Sequence, residues 1–356
     1  MTLTFKPARP RRLFHYTPLR YPGGKGKLAP YIKELIKDNS LLDGEYVEAY
    51  AGGAAIGLEL LFHDYVSRIH INDLSRPIHS FWYSVLHGTD RLCKLIHDTP
   101  LTLKEWDRQK RVFSNQDDFD NLALGFATFF LNRTNRSGIL NGGIIGGRDQ
   151  TGRWKIDARF NSDELIYRIE CIAKMKRRIS LTRMDALEFL KNGVPTWPSK
   201  TLIYLDPPYY MKGRELYYDF YQRADHEALA KFVISKLIRQ RWIVSYDNTA
   251  AVRALYRGCQ RFTYGLGYSA RDWRLGTEVI FFSNLLSVCP LIGPFNMIRS
   301  SGIQKNENDR LGAEQARRRF QAALRGTISV AGKSKVKGAA DQSVLGHRSK
   351  KKPKRA

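Results

Sequence analysis

The distribution of apolar and polar positions predicts short buried strands that are followed by turns and helices. The most distinct apolar run is Leu202–Leu205, which is short, bulky and unbroken, as expected of a strand inside a sheet. It stops at Asp206-Pro207-Pro208-Tyr209, where two prolines without N–H groups end the strand and stiffen the turn. Similar patterns predict further strands at Tyr46–Glu48, Arg68–Asp73 and Ser180–Met184, and helices over Leu28–Leu35, over Ala55–Phe62 and from Asn121 onward.

The four residues Asp206, Pro207, Pro208 and Tyr209, which we call the lip, follow the carboxyl end of the predicted strand. Open α/β sheets bind their ligands at this edge. The lip carries a carboxylate on Asp206, a carbonyl on Pro207 and an aromatic face on Tyr209. Two acceptors and a ring are suited to hold a planar amine, because each acceptor takes one of its two hydrogens. The alternative is a strand-ending turn with an exposed tyrosine.

Two glycine-rich turns precede the lip. In residues 22–25 (Pro-Gly-Gly-Lys), the glycines allow the backbone to approach a ligand closely and the lysine adds a positive charge. The segment lacks the P-loop spacing, and a plain basic turn is the alternative. The second turn, at Gly52 and Gly53, joins a strand to a helix in the arrangement typical of nucleotide binding. Asp73 follows about 20 residues later, the spacing at which a carboxylate bonds ribose hydroxyls; a helix N-cap or turn residue is the alternative.

The segment from Asn132 to Lys155 is dense in glycine, amide and guanidinium groups and contains one tryptophan. Such a segment is able to follow a phosphate backbone and to read base edges. The formal net charge of +25 favours DNA contact over a solvated loop with hairpin turns. The candidate DNA-binding residues are Asn132, Arg133, Asn135, Arg136, Arg148 and Lys155.

Composition limits the partners. The chain has 356 residues, 43% of them hydrophobic, and its excess of basic residues predicts attraction to a polyanion, most simply nucleic acid. It has no apolar stretch of spanning length and no signal-peptide pattern, so we expect no membrane contact. Its cysteines, Cys93, Cys171, Cys259 and Cys289, are far apart, so we expect thiols in a reducing compartment and no metal site or disulfide.

Taken in order, these motifs resemble those of the Dam-like family of DNA adenine-N6 methyltransferases. They are Pro-Gly-Gly-Lys at 22–25, Glu-x-x-x-Gly-Gly at 48–53, Asn-Arg-Thr at 132–134 and Asp-Pro-Pro-Tyr at 206–209, within roughly residues 15–285. The resemblance implies a Rossmann-like α/β fold with S-adenosylmethionine (AdoMet) as cofactor. It also implies methyl transfer to adenine N6 in duplex DNA. It does not extend to the recognition hairpin of enzymes that methylate GATC, from which Asn135–Gly147 differs.

The resemblance implies roles for single residues as well. At the cofactor it implies Tyr21, Lys25, Glu48, Tyr50, Gly52, Asp73, Asp185 and Asp206, with Asp73 at the ribose and Asp185 at the adenine ring of AdoMet. At the target base it implies Asp206, Pro207, Pro208 and Tyr209 as the catalytic residues. The chain departs from the family's usual Glu-Pro-Phe-x-Gly-Gly-Gly, because Ala49, Tyr50 and Ala54 replace the proline, the phenylalanine and the last glycine.

We therefore expect an AdoMet-binding catalytic domain from residues 13–75 and 180–286 and a mostly helical target-recognition domain over 76–179. A partly helical C-terminal extension over 287–330 and a disordered basic tail over 331–356 are expected to follow. The expected partner is double-stranded DNA, with no membrane and no metal. We expect a monomer in the cytoplasm, associated with the nucleoid, and leave a companion restriction endonuclease open.

Three alternatives remain open from the sequence. Cytosine-N4 methylation poses the same chemical problem at an exocyclic amine. RNA adenine methylation meets bases that are easier to flip in single strands, and a catalytically inactive DNA-binding protein would share the fold. Cytosine-C5 methylation is disfavoured, because it needs a nucleophilic cysteine and the chain has no Pro-Cys pair.

Overall fold

The computed structural model describes residues 16–20, 25–210, 221–270 and 272–288, and the side chains of all of these except 265–276. The predictions for Tyr21, for Cys289 and for the C-terminal extension and tail beyond residue 288 therefore lie outside the described residues.

A mixed sheet lies at the centre of the described chain. Its strands are β1 (Gly44–Glu48), β2 (Val66–Asn72), β3 (Ile179–Thr182), β4 (Thr201–Leu205), β5 (Arg241–Asp247), β6 (Gln260–Ala270) and β7 (Asp272–Phe282). The order across the sheet is β3-β2-β1-β4-β5-β7-β6. Strands β1 to β5 are parallel, whereas β7 is antiparallel to β5 and to β6. The order reverses between β1 and β4, and such a switch point is where doubly wound sheets bind ligands.

Helices cover the sheet and fill the long connection between β2 and β3. The described α-helices are α1 (Ala29–Asp38), α2 (Ala55–Phe62), α3 (Arg76–His87), α4 (Thr89–Asp98), α5 (Leu103–Ser114), α6 (Asn121–Thr134), α7 (Ser162–Lys174), α8 (Ala186–Gly193), α9 (Arg223–Lys236) and α10 (Ala250–Leu255). Helices α3 to α7 all lie between β2 and β3. The predicted Rossmann-like α/β class with a mostly helical insert is confirmed.

Most predicted elements are present, with small shifts at their ends. Helix α2 has the predicted bounds. Helix α1 begins one residue late, because Pro30 is accommodated in its first turn and Lys25–Leu28 form a 3-10 turn before it. Strand β3 ends at Thr182 instead of Met184, because the amide of Met184 donates to the Asn72 side chain at 3.0 Å and leaves the ladder.

Side chains on both faces of the sheet pack into hydrophobic cores. On one face, Tyr46, Leu202 and Ile243 pack into the larger hydrophobic core. On the other, Ile203 and Val244 pack into a second core with α9 and α10. Alternation along β4 therefore places successive side chains in one core or the other, and polar groups meet beyond its carboxyl end.

The described residues contain no helix that is long and apolar enough to cross a membrane. In the same part of the chain, no group of three or more histidine, cysteine and acidic side chains is arranged to hold a metal ion. Cys93, Cys171 and Cys259 are free thiols.

Candidate active site

The lip begins where β4 ends, so Asp206 is the first residue beyond a fully buried strand. Its side chain keeps 25% of its surface exposed. Ser245 on β5 donates a hydrogen bond of 2.6 Å to Asp206 Oδ1, and the Tyr204 hydroxyl is 2.8 Å from the same serine oxygen. No described residue donates a hydrogen bond to Asp206 Oδ2 or to the carbonyl of Pro207. The lip therefore presents two oxygens that are able to accept hydrogen bonds from a ligand.

A buried ion pair lies behind Asp206. The Lys25 ammonium is 3.2 Å from Asp206 Oδ1 and 2.5 Å from Glu278 Oε2, and the side chains of Lys25 and Glu278 are only 6% and 1% exposed. Lys25 comes from the predicted basic turn, and Glu278 comes from β7. An ammonium shared by two carboxylates in a site of low dielectric is held firmly, because either partner left alone would be a buried unpaired charge.

Tyr209 is tied to the same network. Its hydroxyl donates to Glu278 Oε1 at 3.0 Å, and the Lys25 ammonium lies 5.5 Å from the centre of its ring. The Tyr264 hydroxyl also donates to Glu278. With 8% of Tyr209 exposed and its hydroxyl anchored, the plane of its ring is set by the protein. This differs from the freely exposed tyrosine of a plain strand-ending turn.

The charges in this network shift its ionisation. Burial raises the pKa of the Asp206 carboxyl; Lys25 opposes the shift, and the negative charge of Glu278 adds to it. Burial lowers the pKa of Lys25, but Asp206 and the other acidic groups around it outweigh this effect, so the pKa lies well above its usual value. Lys25 therefore stays cationic, and Asp206 needs a higher pH than a solvated carboxyl to become an acceptor on both oxygens.

The turn between β1 and α2 is a tight curve beside the lip. Gly52 and Ala54 both adopt left-handed backbone, each with φ of 46°, and Ala54 caps α2 where the family has its last glycine. Glu48 is 4% exposed and accepts a hydrogen bond of 3.0 Å from the amide of Gly57. Burial raises the pKa of Glu48 to about 8. A helix amide thus holds the end of β1, and the turn keeps its shape with an alanine in place of glycine.

Asp73 and Trp82 fix this turn from the side of β2. Asp73 Oδ2 accepts from the amide of Gly52 at 2.8 Å, and its Oδ1 accepts from the amide of Ser75 at 3.0 Å. The Trp82 indole on α3 donates to the carbonyl of Gly52 at 2.9 Å. The structure therefore gives Asp73 the turn-residue role that was its alternative, and it does so at the edge where the ribose role was predicted.

Two contacts join the lip and its following chain to the rest of the edge. The amide of Tyr210 donates to Asp247 Oδ1 at 2.9 Å, which ties the lip to the end of β5. The hydroxyls of Tyr50 and Tyr221 are hydrogen bonded at 2.8 Å. Tyr50 stands where the family usually has phenylalanine, so its additional hydroxyl connects the turn after β1 with the chain beyond the lip.

Asp185 lies further along the same edge, after β3. It is exposed and caps α8, with Oδ1 accepting from the amides of Leu187 and Glu188 at 2.9 and 3.2 Å. Helix capping thus uses one oxygen of the Asp185 carboxylate. Its place at the adenine ring of AdoMet stays a prediction.

The segment Asn132–Lys155 differs from its prediction at both asparagines. Asn132 is 1% exposed. It accepts from the amide of Arg20 at 2.7 Å and donates to the carbonyls of Arg20 and Gly138 at 2.7 and 2.9 Å. The side chain clamps two backbone segments together, so it does not reach DNA in this conformation.

Asn135 is fully buried. Its oxygen accepts from the Trp106 indole at 2.7 Å, and its nitrogen donates to the carbonyls of Ile139 and Leu140 at 2.9 and 3.0 Å. The direct DNA contact predicted for Asn132 and Asn135 is therefore corrected to a supporting role, because both side chains are buried and the nitrogen and the oxygen of each amide are hydrogen bonded inside the protein.

The four candidate DNA-binding cations of the segment fall into two groups. Arg133 is half-buried and donates to the carbonyl of Arg159 at 2.7 Å, and burial lowers its pKa to about 9. Arg136, Arg148 and Lys155 are exposed. Arg148 forms a two-pronged ion pair with Asp107 at 2.8 Å, and Lys155 bonds the carbonyl of Gln150. The exposed three are placed on a surface, whereas Arg133 supports the fold.

Sequence reasoning missed Glu278 and Ser245. A weak signal for Glu278 was present, because it is a single charge directly before the apolar run Val279–Phe282. Nothing in the sequence links it to Lys25, from which it is separated by 253 positions. Only the pairing of β7 with β5 brings it behind the lip.

A comparison with curated proteins finds the Type II methyltransferase M.MjaIII of Methanocaldococcus jannaschii. It is 23% identical to this chain over 236 residues, which cover 62% of this chain and 78% of that protein.

A family model described as D12 class N6 adenine-specific DNA methyltransferase matches residues 21–265. The match includes Lys25, the turn after β1, the helical insert and the lip, and it stops before Glu278. The match spans well over half of the chain. The two accepting oxygens of the lip are suited to bind the amino group of a base. This chain belongs to the family of D12 class N6 adenine-specific DNA methyltransferases.

Proposed function

We propose that this adenine-N6 DNA methyltransferase takes its methyl group from AdoMet and transfers it by direct displacement to an adenine flipped out of duplex DNA. The observation that carries the proposal is the pair of accepting oxygens on the lip, Asp206 Oδ2 and the Pro207 carbonyl, above a charge network that holds Asp206 in place.

The lip acts on the nucleophile. The lone pair of adenine N6 is delocalised into the ring, so the amine attacks poorly by itself. When Asp206 Oδ2 and the Pro207 carbonyl accept hydrogen bonds from its two N–H groups, the nitrogen becomes more tetrahedral and its lone pair is directed outward. Tyr209 supplies the stacking face, and its bond to Glu278 fixes the angle of the ring. The carbon–sulfur bond of the donor would break as the bond to N6 forms, and N6 would give up one proton to Asp206 or to water. Alignment of the reacting atoms at about 3 Å would supply much of the rate.

The base has to leave the duplex to reach the lip. An amine inside a base pair is hydrogen bonded to its partner and lies between stacked neighbours, so extrusion is required and costs a few kcal/mol. The stiff Pro207-Pro208 turn suits this task, because a preformed site loses little further freedom when the base enters.

The turn after β1 fits AdoMet. Its left-handed residues Gly52 and Ala54 curve the backbone around the edge of the sheet at the switch point, and Asp73 places a carboxylate at the neighbouring strand end. When bound, AdoMet supplies an electrophilic sulfonium methyl group. The residues that would hold it are Lys25, Glu48, Tyr50, Gly52, Asp73, Asp185 and Asp206, with Tyr21 from outside the described residues.

DNA recognition is assigned to the helical insert over 76–179, and the catalytic domain to 13–75 and 180–286. Arg136, Arg148 and Lys155 are the exposed cations that support this assignment, while Asn132, Asn135 and Arg133 hold the segment in shape. The basic residues over 331–356 would add nonspecific affinity. The proposal includes a monomer acting on cellular DNA in the cytoplasm, and the Type II designation of the relative favours a companion endonuclease.

The decisive experiment is long-read sequencing of DNA from cells that express the protein and lack other adenine methylation. We expect N6-methyladenine in one sequence context. Asp206→Ala should lower methyl transfer about a thousandfold and leave DNA binding in a gel-shift assay intact, because an acceptor of the reacting amine is lost. Asp163→Ala, at an exposed carboxylate on α7, is the matched control and should methylate normally.

N4-methylcytosine in the same experiment would replace the substrate of this proposal with cytosine. Unmodified DNA together with normal DNA binding would favour the inactive binding protein. Full methylation by Asp206→Ala would remove the role of the lip while leaving the family assignment in place.

A further inference from the structure

A basic and aromatic strip runs along the edge of the sheet formed by β3. We define the β3-edge strip as His79, Tyr83, His87, Lys174, Lys176, Arg177 and Arg183. The first three lie on α3, one helical turn apart, and the cations lie at the end of α7, in the 3-10 turn Lys176–Arg178 and directly after β3. No motif used so far includes these residues, and they are distinct from the lip and from the segment Asn132–Lys155.

The rings of the strip form a ladder on the outer face of α3. The ring centres of His79 and Tyr83 are 6.2 Å apart, and those of Tyr83 and His87 are 4.6 Å apart. Tyr83 is 41% exposed although it is a large aromatic residue. Two concave surfaces, of about 680 and 530 Å³, meet at this ladder and share Leu86, His87 and Lys176 as lining residues. Two adjoining concave surfaces therefore lie along the strip, and Arg183 lies outside the residues that line them.

The cations of the strip are exposed and have no acidic partner within the described chain. This holds for Lys174, Lys176, Arg177 and Arg183. Arg178, in the same run of sequence, shows the contrast, because it pairs with Asp64 at 3.0 Å and bonds the carbonyl of Val66. Two acids, Asp90 and Glu170, line the wider groove and leave the strip positive overall. A groove with unpaired cations and stacked rings is complementary to a chain of phosphates and bases.

We propose that the β3-edge strip binds the phosphate backbone of DNA as a second contact, outside the lip, for the duplex that is being methylated. Arg183 leaves β3 at the same edge of the sheet at which Asp206 leaves β4. Those two strands are three positions apart, which is about 14 Å at the usual strand spacing. Flanking DNA at the lip is therefore close to the upper end of the strip. The identity of the polyanion rests on the proposed function.

The concave shape favours nucleic acid over an anionic membrane. A ridge of phosphates enters a groove, whereas a flat bilayer contacts only its rims. The ionisation of His79 agrees with an anionic occupant, since burial, Arg183 and His87 all lower its pKa and a phosphate would relieve the repulsion.

The test compares two triple variants of equal charge. K174Q/K176Q/R177Q removes two lysines and one arginine from the strip. K231Q/K236Q/R239Q removes the same residue types from the exposed surface of α9 and the turn after it, and none of these three cations forms an ion pair with a described residue. Both variants lower the formal charge by three, from +25 to +22. Any difference between them therefore reports the location of the charges.

Binding of a 40-base-pair duplex is measured by fluorescence anisotropy over a series of salt concentrations. The strip variant should lose about 2 to 3 from the slope of log affinity against log salt, close to 0.9 for each phosphate contact, and should bind at least about tenfold more weakly. The α9 variant should keep the slope within about 1 unit of the wild type. Circular dichroism melting curves of both variants should match the wild type, because all substituted side chains are exposed.

Equal losses in the two variants would overturn the inference, since the strip would then contribute only its net charge. Unchanged DNA binding by the strip variant, combined with lost binding to phosphatidylglycerol vesicles, would also overturn it and would identify a membrane surface. Methylation by the wild type is scored separately. If the wild type binds duplex DNA through the strip and does not methylate it, the proposed function fails, whereas the strip is still shown to bind DNA.

Discussion

Polar side chains play opposite parts in the lip and in the segment Asn132–Lys155. Behind the lip, Lys25 and Glu278 are charged, almost fully buried and paired with each other. In the segment, the charged side chains of Arg136, Arg148 and Lys155 are exposed, and the buried polar groups are neutral amides that bond the backbone. Both regions carry polar chemistry, yet the first pairs its charges inside the protein, whereas the second half-buries Arg133 and keeps Arg136, Arg148 and Lys155 exposed.

The difference shows how this molecule controls the position and the ionisation of a catalytic side chain. A charge inside the protein interacts strongly with its neighbours, so Lys25 and Glu278 determine both the position and the ionisation of Asp206. An exposed charge is screened by water and salt, so Arg136 is free to approach phosphates without upsetting the fold. The buried charges thus hold the lip in one geometry. In the segment, buried amides hold the backbone, and the exposed cations do not support the fold.

The largest effect is expected from breaking the buried pair. Lys25→Met keeps the volume of the side chain but leaves Asp206 and Glu278 as two buried carboxylates without a cation. The free energy of unfolding should fall by about 3–5 kcal/mol in urea titrations. Lys27→Met, two residues away and exposed, is the matched control and should change stability by less than about 0.5 kcal/mol. Equal stability of the two variants would contradict the buried ion pair.

A smaller effect should distinguish residues of the segment that support the fold from those that contact DNA. Asn135→Ala removes an acceptor from the Trp106 indole and a donor from two carbonyls, and should lower the free energy of unfolding by about 2 kcal/mol. Asn141→Ala, at an exposed asparagine, should be within about 0.5 kcal/mol of the wild type. Arg136→Gln should likewise keep stability and reduce the salt slope of DNA binding by about 1.

The comparison at the segment fails if the roles are exchanged. An Asn135→Ala protein of normal stability with weak DNA binding would restore the original expectation of a direct contact. An Arg136→Gln protein with an unchanged salt slope would remove that arginine from the DNA surface.

The smallest effect is a shift in pH dependence without loss of fold. Glu278→Gln keeps an acceptor for the Tyr209 hydroxyl and removes the negative charge that raises the pKa of Asp206. Asp206 should then ionise at lower pH, so the acid limb of the kcat–pH profile should move to lower pH.

Asp107→Asn provides the contrast for this measurement. It removes an equal charge from the exposed pair with Arg148, and the acid limb should stay where it is because water screens that site. A similar shift in Asp107→Asn and Glu278→Gln would mean that the profile reports overall charge and not the network behind the lip.

Much of the site was predictable because its motifs are local. The unbroken run before Asp206, the double proline and the glycine turn before α2 each determine their own geometry within a few residues, so strand β4, the lip and helix α2 were found from the sequence. The start of α1 shifted by one residue and the end of β3 by two, where Pro30 and the Asn72 side chain competed with regular hydrogen bonding. The family resemblance rests on the same local patterns.

The remaining features depended on contacts between distant segments. The amides of Asn132 and Asn135 resemble base-reading groups in the sequence, and burial against Arg20 and Trp106 decides otherwise. Glu278 reaches the lip only because β7 pairs with β5, opposite Asp247, in an antiparallel register. Composition and local pattern determine which elements form and which chemistry they carry. Burial determines which charges act on each other, because the strength of an electrostatic interaction depends on the surroundings that only the folded chain provides.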